Sequence, residues 1–108
     1  MPYLAGMNTI IESAAFSRKV ALIWNELEYE EFKAFIALNP FAGQVVPNTG
    51  GVRKIRWRSQ SKGKQGGVRV IYYNKTKTET WLLTLYRKNE LESMSAKQLK
   101  ILREATHE

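Results

Sequence analysis

Three strand-like runs in the second half of the chain, residues 52–59, 68–75 and 80–86, constrain its fold more than any other feature. Each is rich in β-branched and aromatic residues and is bounded by turn chemistry. The first two are separated by Ser-Lys-Gly-Lys-Gln-Gly-Gly, which reads as a basic hairpin loop, and residues 75–78 give a tighter turn before the third. Connections this short cannot hold a helical crossover, so the runs must pair antiparallel. The first half reads differently. Residues 7–13 cluster Thr9, Ile10 and Ile11 and predict a short strand. Beyond them Phe16, Val20, Ile23 and Trp24 recur at one face of a helix.

Asn25 followed by Glu28 opens a second helix with a capping box. Its apolar stripe is Phe32, Phe35 and Ile36, with Glu28, Glu30, Glu31 and Lys33 expected toward solvent, and Pro40 sets its end near Asn39. Residues 47–51 form a turn-rich connector. Ser95 caps a last helix with Gln98 three residues on, Met94 stapling against Leu99, and Leu99, Leu102 and Ala105 facing inward. The expectation is an α+β fold: a small, mainly antiparallel sheet with two N-terminal helices and a C-terminal helix. Residues 1–6 read as an N-terminal extension and residues 7–108 as one domain, a size that can bury a modest core without staples.

Charge separates the same two halves. The chain has 108 residues, with 17 Lys plus Arg against 10 acids and a formal net charge of +7. Residues 51–90 hold eleven of those cations against only Glu79 and Glu90, whereas residues 1–50 hold three against five glutamates. Such localisation points to a polyanionic partner. There is no Cys and no Asp, and the one histidine, His107, is next to the C-terminal residue. Thiol catalysis, Cys-based zinc, Asp-held magnesium and histidine triads are therefore excluded, and no metal or cofactor is expected. No run approaches the roughly 20 apolar residues of a membrane span, and the N-terminus lacks signal-peptide character, so a cytoplasmic location with no membrane partner is the expectation.

Strand alternation sorts the cations. In the first run Lys54, Arg56 and Arg58 share a face while Arg53, Ile55 and Trp57 share the other. Same-face cations lie about 7 Å apart, close to the spacing of successive phosphates on a single nucleic-acid strand. Arg69 in the second run and Arg87-Lys88 at the end of the third add to the field, and Lys62 and Lys64 lie in the basic loop. Among the aromatics, Trp57 runs with Ile55, and Trp81 alternates with Leu83 and Leu85, which marks both as core. Tyr73, on the face of Arg69, and Tyr86, beside Arg87, are the better candidates for contact with a substrate. A nucleic-acid or ribosome-binding surface follows.

Three ordered motifs carry a family resemblance: N-T-G-G-V-R-K-I-R-W, then G-K-Q-G-G-V-R-V-I-Y-Y, then L-L-T-L-Y-R-K-N-E, with A-L-N-P-F-A-G upstream. Together they resemble the HigB-like branch of the RelE/ParE toxin superfamily over roughly residues 7–105. The resemblance implies the toxin of a type II toxin-antitoxin system, a metal-independent endoribonuclease (mRNA interferase) that inhibits translation by cleaving messenger in the ribosomal A site. It implies a cognate antitoxin, HigA-like or RelB-like, with the ribosome and mRNA as further partners and a toxin that is monomeric when free. Carried over by position, Lys54, Arg56, Arg69, Lys88 and Tyr86 form the catalytic set. Arg53, Arg58, Lys62, Lys64, Tyr73 and Arg87 contact RNA. Several relatives carry a catalytic arginine just past the lysine matched by Lys88; this chain has Asn89.

The superfamily also holds ParE-like gyrase-inhibiting toxins, which generally lack the strand cations found here, and a non-catalytic RNA- or ribosome-binding module is the other alternative. Cleavage without metal uses the substrate's 2′-OH against the adjacent phosphate and gives a 2′,3′-cyclic product. The protein then supplies charge stabilisation and proton transfer. Arg56 and Arg69 suit the first task. For the second, a lysine accepts a proton only when neutral, which needs crowding by other cations. Glu90 is expected in a salt bridge with Lys88 or Arg87, and Tyr86 or Tyr73 can orient the base or protonate the leaving 5′-oxygen.

Overall fold

The computed structural model describes residues 6–58, 67–91 and 93–106. The elements run β1 (Thr9–Glu12), α1 (Ala14–Ile23), α2 (Glu26–Leu38), β2 (Gln44–Val45), β3 (Val52–Trp57), β4 (Val68–Asn74), β5 (Glu79–Arg87) and α3 (Ala96–Glu104). They form one five-stranded sheet in the order β1-β5-β4-β3-β2. The three long strands make the antiparallel meander that their short connections require, and β1 adds in parallel beside β5. The expected α+β architecture is observed. The two-residue strand β2 was not legible: Gln44 and Val45 carry no alternating pattern and pair only with Lys54 and Arg53.

Each helix starts where its cap places it. The Ser13 side chain accepts from the Phe16 amide at 3.1 Å, and complete capping boxes close Asn25 with Glu28 and Ser95 with Gln98. Helices α1 and α2 cover one sheet face. There Phe16, Trp24, Phe32 and Ile36 form a buried cluster with Val68, Val70, Tyr72, Leu82 and Leu85, and Ile55 and Trp57 pack against it. Helix α3 belongs to the opposite face, where Leu99 clusters with Val52, Ile71, Trp81, Leu83 and Tyr86. Met94 joins that cluster, as its staple to Leu99 requires. Each large apolar side chain fully removed from water contributes about 1.5–3 kcal/mol, so both faces of the sheet are held.

Three expectations are corrected. Glu28 is buried rather than solvated, because its carboxylate turns back to accept from the Asn25 amide at 2.9 Å. Ala105 is exposed, because α3 ends at Glu104 and Thr106 takes the buried position, its hydroxyl donating to the Arg103 carbonyl at 2.6 Å. Leu85 lies on the opposite face from Trp81 and Leu83. The β4–β5 register slips there: Tyr72 faces Leu82 and Ile71 faces Thr84, which leaves Leu83 as the extra residue of a β-bulge. Alternation restarts after the bulge, so Leu85 joins the α1/α2 cluster and Tyr86 the α3 cluster.

Candidate nucleic-acid interface

The bulge decides what stands beside Arg69. Arg56, Arg69 and Tyr86 are direct partners across β3, β4 and β5, in registers Arg56↔Arg69 and Arg69↔Tyr86. Directly opposed residues have Cβ atoms about 4.5–5.5 Å apart. Without the extra residue at Leu83, Tyr86 would point toward α1 and α2 instead. Two arginines opposed in a ladder concentrate positive potential at this point of the sheet.

Lys54 lies two residues from Arg56 on the same strand face. Lys54, Arg56 and Arg69 line an open groove of about 410 Å³ together with Ala42, Gly43, Gln44 and Ile55. The groove has a simple origin. Strand β2 pairs with β3 only as far as Gln44 opposite Lys54, so the chain before Gln44 leaves the ladder and opens a notch beside Ile55 and Arg56.

The departing chain is fixed from beneath. The Tyr72 hydroxyl donates to the Pro40 carbonyl and accepts from the Gly43 amide, both at 2.8 Å. Asn74 donates to the same Pro40 carbonyl at 3.0 Å. Arg53 donates to the Gly43 carbonyl at 2.7 Å and the Phe41 carbonyl at 3.4 Å. Burial pushes the Tyr72 phenol up from its ordinary value, against the opposing pull of the Gly43 amide and Arg53. The phenol therefore keeps its proton and its place in the network.

Tyr86 is 2% exposed, and its hydroxyl has no hydrogen-bond partner among the described residues. Burial raises its pKa, and the nearby positive charge of Arg69 opposes that shift. The group is thus a protonated O–H beside Arg69 across the neutral range.

The remaining sequence-derived candidates divide. Arg53 and Arg87 do not join the groove. Arg53 serves the 40–43 segment from the other face, and Arg87 donates to the Leu22 and Ile23 carbonyls at the end of α1 at 3.3 and 3.4 Å. Cations suit the orphan carbonyls of a helix C-terminus. Arg87 also bridges Glu90 at 3.2 Å, the salt bridge the sequence suggested. Tyr73 shares the face of Arg69, but four residues further along β4, where Arg103 lies over its ring at 5.5 Å. Arg58 and Lys88 are exposed just beyond the ends of β3 and β5. Lys62 and Lys64 lie outside the described residues, as does His107. Sequence reasoning missed the other lining residues, Ala42, Gly43 and Gln44, whose signal was the Pro40 and Gly43 punctuation of N-P-F-A-G.

No protein-family model matches the chain. Among solved structures, it is similar to the E. coli toxin RelE, an arginine-to-alanine double mutant in the free state, with a TM-score of 0.60. The match covers 90% of this chain and 97% of that one, at 12% sequence identity. The chain has a RelE-like fold. At that identity the agreement is one of architecture: three helices on a mostly antiparallel five-stranded sheet. Among the described residues, no helix is long and apolar enough to cross a membrane.

Proposed function

We propose that this protein is the toxin of a toxin-antitoxin system and acts as a ribosome-dependent mRNA endoribonuclease, in the manner of the HigB-like branch. The observation that carries the reading is the pairing of Arg56 with Arg69 across β3 and β4, beside Lys54, in an open groove on a RelE-like fold. Arginines on facing positions can offer N–H donors to one phosphate, and such charge-assisted contacts are among the strongest available for that group.

In this mechanism the 2′-oxygen of one nucleotide attacks its own 3′-phosphate, and the bond to the next nucleotide's 5′-oxygen breaks. The products are a 2′,3′-cyclic phosphate and a free 5′-hydroxyl. Arg56 and Arg69 hold the non-bridging oxygens as charge builds on the five-coordinate phosphorus. The 2′-OH proton passes to a base at the groove, for which Lys54 is the candidate by position, and the leaving 5′-oxygen takes a proton from Tyr86, opposite Arg69, once substrate binding uncovers its buried hydroxyl. With so few strong acids or bases, much of the rate comes from holding the message in line for attack, which accounts for a dependence on the ribosome. The partner that silences such a groove is an antitoxin, acidic where it crosses the cationic strands.

Substituting Arg69→Ala, with the circular dichroism spectrum retained, should abolish growth arrest and messenger cleavage. Primer extension on a defined message, with and without translation, supplies the readout. New 5′ ends confined to translated regions are expected from the wild type. Replication arrest with intact messenger would instead identify a gyrase-directed toxin, and full toxicity of Arg69→Ala would remove this groove as the site.

A further inference from the structure

Phe41 is a large apolar residue left 73% exposed. It sits on the irregular segment that the Tyr72, Asn74 and Arg53 side chains hold from below. Its neighbours Ala42 and Gly43 line the same groove as Lys54, Arg56 and Arg69. The Arg53 guanidinium lies over its ring, 5.1 Å from the centroid. A flexible loop would let an exposed phenylalanine fold back onto the core. Here the backbone is fixed on both sides of the ring, by Pro40 before it and Gly43 after it, so the ring is held outward. A rigid ring backed on one side by a cation and placed next to a phosphate-binding groove has the components of a stacking platform for a nucleobase.

We infer that Phe41 stacks on a base of single-stranded RNA whose phosphate occupies the groove, and so sets which nucleotide lies over Lys54, Arg56 and Arg69. The inference rests on the proposed RNA-directed function and adds a base contact to its phosphate contacts. Stacking tolerates any base because each has a π-face, so Phe41 fixes position along the strand more than sequence. Arg53 acts here as a positioning residue. It holds the loop and backs the ring from the sheet face opposite the groove cations.

The test is binding of a labelled single-stranded RNA of about 12 nucleotides, 2′-O-methylated so that it cannot be cut, read by fluorescence anisotropy at low salt. Phe41→Ala and Phe41→Leu should each weaken binding about 10-fold, and Phe41→Trp should restore it. An abasic residue stepped through the oligomer should cost about the same at one position with the wild type and nothing further with Phe41→Ala. The exposed ring leaves thermal stability unchanged in all three variants.

Leucine binding as tightly as phenylalanine would mark an apolar protein contact instead and overturn the inference, as would equal abasic losses in wild type and Phe41→Ala. The two readings separate cleanly. A wild type that binds RNA through Phe41 but makes no cut on translating ribosomes overturns the nuclease and leaves the platform. A wild type that cuts, with Phe41→Ala binding unchanged, does the reverse. Absence of RNA binding by the wild type overturns the platform, and cleavage on translating ribosomes then decides the nuclease by itself.

Discussion

Tyr86 combines two properties that ordinarily conflict. Its ring is buried in the α3-side cluster, yet its hydroxyl has no hydrogen-bond partner among the described residues. An unsatisfied buried hydroxyl costs about 1–3 kcal/mol, so Tyr86→Phe should leave the melting temperature unchanged or raise it. If the phenol donates the proton, the same variant loses about 100-fold in single-turnover cleavage on programmed ribosomes. A melting temperature that holds while cleavage persists at the wild-type rate would take Tyr86 out of the chemistry. Arg53 and Arg87 give the complementary lesson. Both are arginines within the basic motifs, and both hold backbone carbonyls on the sheet face away from the groove. Counting cations gave the size of the field but not which cations remain available to a phosphate.

At the level of elements, the groove depends on one bulge and one departure from a ladder. The bulge at Leu83 lies in W-L-L-T-L, where apolar residues occupy both strand parities and nothing in the residue types marks where alternation restarts. The row of Arg56, Arg69 and Tyr86 was therefore half legible: strand parity put Lys54 and Arg56 on one face, but only pairing brought Arg69 opposite Arg56 and Tyr86 opposite Arg69. The departure at Gly43 is tightly constrained. A Cβ there would lie 2.8 Å from the Tyr72 ring, 2.9 Å from its hydroxyl and 3.0 Å from the Lys54 carbonyl. Gly43→Ala should lower stability by about 1–3 kcal/mol, read by urea denaturation, and weaken RNA binding as the wall moves. Unchanged stability would show that the 40–43 segment yields easily and is no rigid wall. The capping boxes at Asn25 and Ser95, by contrast, were legible to the residue, because a cap is decided within four positions.

Across the whole molecule, burial controls three of the five tyrosines. Tyr29 is raised by burial and then by the Glu12 carboxylate, which accepts a hydrogen bond from its hydroxyl at 2.5 Å. Tyr72 and Tyr86 are raised chiefly by burial. A phenol whose folded pKa exceeds its ordinary value of 10.0 stabilises the fold below that pH and ceases to do so as pH rises toward the folded value. Stability should therefore be level through neutrality and fall above about pH 10, with Tyr29, Tyr72 and Tyr86 titrating above the ordinary phenol range in an ultraviolet titration. Ionisation of all five near pH 10 in the folded protein would contradict that account.

The sequence by itself determined the elements whose signals are local: three strands between turns, two amphipathic helices of which the second carries a readable cap, and a capped C-terminal helix. It also determined the concentration of positive charge in residues 51–90, because charge is conserved whatever the fold. Only the tertiary structure decided which cations face one another, that Tyr86 pairs with Arg69, and that the chain before Gln44 lines the groove. Those outcomes depend on strand register and on pairing between residues far apart in the chain. One inserted residue reverses every side chain beyond it, and no local pattern records that choice.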